Sequence, residues 1–369
     1  MRNERWIVPF LLAAAVAACD SVPTPPEAVG EESWIPQAIE ARGLSSEGWK
    51  EWGDYVVAEG DVLLRKSALA SAPRRGSGPL RPMFQFRTAQ LVGSPRIHQL
   101  RVDLSQMGAE PHWADAARAA MAEWSAIQGS YIRMVEGSPG DITVQLQCFP
   151  PDDNGGIAKA EFPSGGGPGA VIVLNTCQRA DLEYRWEEKI SIMLHNLGHT
   201  IGFQHTDWLQ NDEPEPLHVY GTPYSGGDDA SVMNARLEDR HLSAYDRKAA
   251  QTMYPLPPPV VTVVNDGGHP RVTWTYPFGA TGAFAVRLLH NRYERAGRLP
   301  PETINEEWVL GSGSGLVTLH DTQRSWTGTS SCSVMTTTYT RKEAWLYEVV
   351  IQYPNGGSLA TASAPVGSC

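Results

Sequence analysis

The sequence predicts an α+β domain built on a mixed sheet, followed by a C-terminal all-β sandwich. Three observations predict it. Between residues 81 and 256, segments of helical and strand periodicity alternate. Pro255-Leu-Pro-Pro-Pro259 then interrupts the chain as a stiff hinge. Beyond it, residues 257–369 hold a series of short alternating segments separated by turn residues. A chain of 369 residues suits two such domains plus non-globular sequence, at roughly 150 residues per domain.

Composition narrows the class further. The 30 Lys and Arg stand against 41 Asp and Glu, a formal net charge of −11. Neutralising phosphates needs clustered cations, so this balance excludes a nucleic-acid partner. Apolar residues make up 41%, enough for folded cores. The five cysteines are an odd number, and a secreted chain normally pairs its cysteines, so one is left for another use.

At the N-terminus, Arg2 and Arg5 precede an apolar run from Trp6 to Ala18. That run is shorter than the roughly 20 residues a bilayer-spanning helix needs. A positive start, a short apolar centre and small closing residues make residues 1–18 a secretory signal. Val16-Ala17-Ala18-Cys19 resembles the lipobox of bacterial lipoproteins, which implies cleavage before Cys19 and acylation of that residue. The expected location is the bacterial cell envelope, with the N-terminal lipid in a membrane (outer membrane, periplasm or cell surface). Residues 19–80 then hold the Pro-rich tether Asp20-Ser-Val-Pro-Thr-Pro-Pro26 and a short segment ending at Gly76-Ser-Gly-Pro79.

Within residues 81–256, Pro111 to Ile127 places Trp113, Ala116, Ala117, Ala120, Met121 and Trp124 on one helical face. Tyr131–Val135 and Asp141–Gln147 follow, the second alternating Ile142, Val144 and Leu146 as a strand does. Gly156–Phe162 is a further short strand, leading into the Gly-rich turn Ser164–Gly169. Val171-Ile-Val-Leu174 is a continuous apolar run, as in a strand buried on both faces. Glu187–Gly202 has acidic residues in its first turn and a glycine stop, the marks of a helix. Ser243–Tyr254 is a shorter helix ended by Pro255.

The informative stretch is His195-Asn-Leu-Gly-His199-Thr-Ile-Gly202-Phe-Gln-His205. Histidines four apart share a helical face, about 6 Å apart along the axis. That suits two imidazoles to one Zn²⁺ at roughly 2.0–2.1 Å each. Gly202 allows a left-handed turn that ends the helix, after which His205 reaches the same ion. Three neutral imidazoles leave one coordination position open, as catalytic rather than structural zinc sites do. His195, His199 and His205 are therefore the expected zinc ligands.

These residues resemble those of the metzincin zinc peptidases, whose pattern is H-E-x-x-H-x-x-G-x-x-H followed by a methionine turn. The matching turn is Ser231-Val-Met233-Asn, and the resemblance implies that Met233 lies beneath the metal. Together with Thr200-Ile-Gly-Phe203 and Gly221-Thr-Pro223, the motif is most similar to the bacterial dual-action HEIGH metallopeptidases. Leu242-Ser-Ala-Tyr-Asp246 also resembles the matrixins. The resemblance implies a mixed five-stranded sheet, an active-site helix, and protein or peptide substrates in the cleft. It makes Gly156–Phe162 the edge strand, pairing with an extended peptide by β-augmentation. It also makes Asp141–Gln147 and Ala170–Thr176 adjacent parallel strands, which puts Cys148 and Cys177 within disulfide reach.

One position departs from the pattern. Where the family has a glutamate that takes a proton from the attacking water and passes it to the leaving amine, this chain has Asn196. An amide cannot do that work near neutral pH, and general-base assistance is worth about 10²–10⁴-fold. Glu161 near the cleft rim is the best substitute; Glu188 lies about 10 Å along the helix, too far to bond. Asp207 is expected to orient a histidine or its loop, and Tyr220 and Tyr224 could donate to an oxyanion. Two functions follow. One is an extracytoplasmic zinc metallopeptidase, slowed at Asn196. The other is a zinc-binding pseudopeptidase that holds peptides or partner proteins without cleavage.

Ahead of this domain, Tyr55-Val-Val-Ala-Glu59-Gly60-Asp61-Val62 resembles the phrase preceding the domain in HEIGH-type proteins, and the aspartate-switch prosegment of astacins. On that resemblance Asp61 is a latency switch whose carboxylate blocks the zinc. On the residues alone it is an ordinary turn carboxylate.

In the C-terminal region the expected strands are Val260–Val264, Val272–Tyr276, Phe284–Leu289, Leu316–Leu319 and Leu346–Tyr353. Trp274 and the Tyr347 strand resemble fibronectin type III, so a spacer or binding module is expected. Pairing Cys332 with Cys369 would tie down the last strand and leave Cys19 for lipid.

Overall fold

The computed structural model describes residues 34–42, 44–69, 85–148, 157–178, 184–208, 216–223, 228–235, 240–296, 302–321, 323, 331–335 and 339–363. The signal segment, Cys19, Tyr224 and the Cys332–Cys369 pairing lie outside the described residues. Among the described residues, no helix is long and apolar enough to cross a membrane.

The first described element is a short helix, Trp34–Glu40, followed by strands β1 (Lys50–Trp52), β2 (Tyr55–Ala58) and β3 (Val62–Arg65). Then come β4 (Phe86–Arg87), β5 (Leu100–Asp103), β6 (Met134–Glu136), β7 (Ile142–Gln147), β8 (Ala158–Glu161) and β9 (Val171–Asn175). β10 (Phe203–Gln204) and β11 (Leu217–His218) flank β4 in a small three-stranded sheet. The large sheet runs β1-β2-β3-β8-β9-β7-β5-β6. It is mixed: β7 pairs β9 in parallel from Thr143↔Val171 to Gln147↔Asn175, while β8 pairs β9 antiparallel. Cys148 and Cys177, at matching ends of β7 and β9, form a disulfide with Cα atoms 4.7 Å apart.

Residues 81–256 contribute five strands to it, β8-β9-β7-β5-β6, the number expected, and β1–β3 extend these past β8 to eight. One expectation is corrected. Gly156–Phe162 is accordingly no edge: β3 lies parallel on β8, with Val62 opposite Ala160 and Leu63 opposite Glu161. The cause is burial. A hairpin alone is marginal in water, and this one carries Val56, Ala58, Val62 and Leu64 on one face. They bury with Ile35, Ile39, Leu44, Leu69 and Phe162, so the segment becomes stable by docking on the edge that β8 would otherwise expose.

Two helices back the sheet. Pro111–Ser125 starts with proline at its first position and buries Trp113, Ala116, Ala117, Ala120, Met121 and Trp124, the face its periodicity predicts. Against it packs helix Trp186–Thr200, where Trp124 Nε1 donates to Leu194 O at 3.1 Å. The third, Ala244–Met253, is capped by Ser243, whose hydroxyl accepts from Tyr245 N and Asp246 N.

The C-terminal region holds two antiparallel sheets. One contains β12 (Val261–Asp266), β13 (His269–Trp274) and, after β14 (Ala283–Ala296) and β15 (Glu302–Ser314), β16 (Thr318–His320). The other joins β15, β14, β18 (Tyr339–Tyr353) and β17 (Ser331–Met335), with β19 (Gly356–Ser363) on β18. Their apolar faces meet, Trp274 lying 4.9 Å from Phe284 between ring centres. The proline hinge does not leave this region loose. Asn355 Nδ2 donates to Ser130 O at 2.6 Å and Ile127 O at 3.1 Å, and Gly129 N donates back to Asn355 O at 2.7 Å. His98 stacks on Tyr131 at 4.2 Å and meets Phe278 and Tyr353 edge-on.

Candidate metal centre

Helix Trp186–Thr200 carries the first two histidines one turn apart on its buried side. Glu188 closes its N-terminus, Oε2 accepting from Arg185 N at 2.5 Å, and so plays a capping role. At the other end Gly202 adopts φ +98°, in the left-handed region, and its N–H returns to His199 O at 2.9 Å. The chain then reverses through β10 and delivers His205.

All three imidazoles are buried, at 1%, 0% and 1% exposure. His195 Nδ1 donates to Val232 O at 2.8 Å and His199 Nδ1 to Phe203 O at 2.9 Å. Those bonds turn both Nε2 atoms inward with their lone pairs free for a metal. Nε2 of His195 lies 2.9 Å from that of His199 and 3.4 Å from that of His205. Asp61, at the tip of the β2–β3 hairpin, enters the same cluster. Its Oδ2 is 3.0 Å from His195 Nε2, 3.2 Å from His205 Nε2 and 3.6 Å from His199 Nε2.

These four donors fit one zinc ion. Ligands 2.0–2.1 Å from a tetrahedral Zn²⁺ stand about 3.3 Å from one another, and the separations here bracket that value. All four ligand atoms lie within 4.8 Å of one another. Asp61 Oδ1 is buried without a hydrogen-bond partner among the described residues, as expected of an oxygen placed beside a cation. Burial and the neighbouring His195 push the His199 imidazole down to about 4, so it is the neutral ring that a metal requires. Burial opposes ionisation of Asp61, but attraction to His205 and the close approach of the other two imidazoles outweigh it. They hold the carboxyl well below the usual range.

Met233 is fully buried, with its sulfur against Gly198 of the site helix. The turn that carries it is held by Asp246, whose Oδ1 accepts from Ser231 Oγ at 2.6 Å and Oδ2 from Val232 N at 3.0 Å. Val232 O is the acceptor for His195, so one carboxylate steadies a ligand through a single residue. Asp207 does orient its loop, accepting from Ala235 N at 2.9 Å.

Asn196 commits its amide to its own helix. Its Nδ2 donates to Ile192 O one helical turn back, at 2.8 Å, and its buried Oδ1 has no partner among the described residues. Glu161, the expected substitute base, has both oxygens engaged, with Arg65 Nε at 3.2 Å and with Ala170 N at 3.0 Å. Tyr220 is 80% exposed. The sequence pattern missed two participants: the backbone carbonyls of Val232 and Phe203 leave no residue-type signal. Asp246 was detectable only as the third residue after the cap Ser243.

Fold and site together give a domain in which His195, His199, His205 and Asp61 are positioned to hold one metal ion. Residues 81–254 match the family model of the dual-action HEIGH metallo-peptidases, a zinc-dependent family, and the match supports a zinc metallopeptidase. Among solved structures, two of myroilysin are similar to the chain. One is 15% identical, covering 43% of this chain and 80% of that one at a TM-score of 0.30. The other is 14% identical, covering 49% and 94% at 0.32. No curated protein sequence matches.

Proposed function

We propose that the protein is an extracytoplasmic zinc metallopeptidase of the metzincin type, held latent by its own N-terminal hairpin and slowed at the chemical step by Asn196. The observation that carries this reading is Asp61 Oδ2 among the three imidazole Nε2 atoms, at 3.0–3.6 Å. Zinc bound there supplies Lewis acidity toward a peptide carbonyl. The four donors fill a tetrahedral set, so the carboxylate stands where a substrate carbonyl or water would otherwise reach the metal. Strand β3 reinforces the block. It takes the backbone positions of β8 that an extended peptide would use for pairing, and Arg65 clamps Glu161 beside them. Release of residues 50–65 would open both the coordination position and the strand edge.

A second reading, a zinc-binding pseudopeptidase, is favoured by the Asn196 contact with Ile192 O, which ties the amide to the helix backbone and leaves no group that exchanges a proton near neutral pH. In either case the lipidated Cys19 would hold the domain at the bacterial membrane, and the C-terminal fibronectin-like sandwich would act as a spacer or binding module.

Cleavage of casein and of a peptide library by the purified chain, with and without chelator, separates the two. Chelator-sensitive cleavage that rises when residues 19–80 are removed supports the latent peptidase. If no product forms before or after that removal, while Asn196→Glu creates activity, the pseudopeptidase stands.

A further inference from the structure

The geometry points to Glu59 as a positioning residue for the third zinc ligand, so that the N-terminal hairpin helps to build the zinc centre as well as to cover it. Two carboxylates of one turn face opposite nitrogens of a single imidazole. Asp61 Oδ2 lies 3.2 Å from His205 Nε2, and Glu59 Oε2 lies 3.7 Å from His205 Nδ1. His195 and His199 are oriented by carbonyls of their own domain, Val232 O and Phe203 O. His205 faces a carboxylate, and that carboxylate arrives from outside the matched domain.

Glu59 is held for this position. Its side chain is only 4% exposed, and Oε1 accepts from Ser45 N at 2.7 Å. It is also the one non-glycine residue with positive φ among those described, at 53°. A side chain with a Cβ is disfavoured there and persists where its surroundings over-determine it. Ser45 on one oxygen and His205 beside the other are part of those surroundings.

A carboxylate on the distal nitrogen of a metal-bound imidazole fixes the ring and raises its basicity, and loss of such a partner typically costs 10–100-fold in metal affinity. Hairpin docking and zinc binding therefore favour each other, by the same factor in each direction. Displacing the hairpin would free one coordination position and, in the same motion, loosen His205. The inference rests on the zinc centre alone and stands or falls independently of peptide cleavage.

The test uses the full chain and its Glu59→Gln and Ser45→Pro variants. Zinc affinity is read by competition with a chromophoric chelator, and ligand geometry by the visible bands of the Co²⁺-loaded forms. Glu59→Gln keeps an oxygen for Ser45 N–H but removes the anion facing His205. It should weaken zinc binding about 10–100-fold and shift the Co²⁺ bands. Ser45→Pro removes the N–H that Glu59 holds and the hydroxyl that accepts from Glu47 N, but leaves the anion facing His205, and should weaken zinc binding less than Glu59→Gln does. A folded Glu59→Gln protein with wild-type affinity and bands would overturn the proposal. So would an equal loss in Ser45→Pro, which would make Glu59 a loop residue only. Long-range proton–nitrogen spectra of the zinc-loaded wild type read the contact without a variant: a slowly exchanging Nδ1 proton on His205 is expected, and a rapidly exchanging one contradicts it.

Discussion

Gly198 lies so close to Met233 that a Cβ on it would come within 2.5 Å of the Met233 sulfur and 3.3 Å of the Trp124 ring. The glycine between the two helical histidines thus lets the methionine turn rise against the site helix. Gly198→Ala should displace Met233 or tilt the helix, at a cost of roughly 1–3 kcal/mol for overpacking a filled core. Thermal unfolding of the zinc-loaded variant measures it, and an unchanged midpoint would mean that the turn yields freely.

Asp246 supports His195 through the backbone of Val232. Asp246→Ala leaves Ser231 Oγ and Val232 N–H buried without this acceptor, at about 1–3 kcal/mol each. Zinc affinity should fall about 10–100-fold as His195 loses its fixed carbonyl. Urea unfolding together with chelator competition reads both quantities. Loss of stability with affinity intact would break the proposed link to the ligand.

On the proposed reading, the block by Asp61 and the loss of a base at Asn196 act on different steps, so they should combine in a definite order. Asp61→Ala opens the site without restoring a base, and Asn196→Glu restores a base behind a closed site. Each alone should give little turnover. The double variant should exceed Asp61→Ala by about 10²–10⁴-fold in peptide cleavage, the worth of general-base assistance. Equal rates in the two would show that proton transfer is not what limits the opened site.

His98 makes the junction with the C-terminal region sensitive to acid. Burial, with a smaller contribution from the charge of Arg133, pushes its imidazole below the ordinary 6.5, although the bond to Tyr131 O works the other way. The unfolded chain takes up this proton near pH 6.5 and the folded chain does so only lower. Stability present above that pH is therefore lost as pH falls below it. The loss in unfolding temperature between pH 7.5 and 5.5 should be smaller in His98→Asn than in the wild type. Parallel pH profiles would remove His98 from the account.

Where local spacing carries a structure, it was legible in the chain. The helical face from Trp113 to Trp124 and the glycine stop at Gly202 follow from periodicity and turn chemistry, while the β7–β9 neighbours with their disulfide follow from the family resemblance. What went unread is long-range pairing. Nothing periodic in Val62-Leu-Leu-Arg65 marks it as the partner of a strand some hundred residues later, and the same segment would serve as well in a free hairpin.

The sequence by itself determined the metal and three of its ligands, because histidines at i and i+4 with a glycine-terminated helix converge through local backbone geometry alone. It also showed asparagine at 196, where the pattern it resembles has glutamate. Only the tertiary structure decided that Asp61 is the fourth donor, that Glu59 stands behind His205, and that β8 is covered rather than open. The reason is physical. Those three facts share one cause, the burial of an apolar hairpin face against Phe162, and burial between distant segments depends on complementary surfaces that no single stretch of residues encodes.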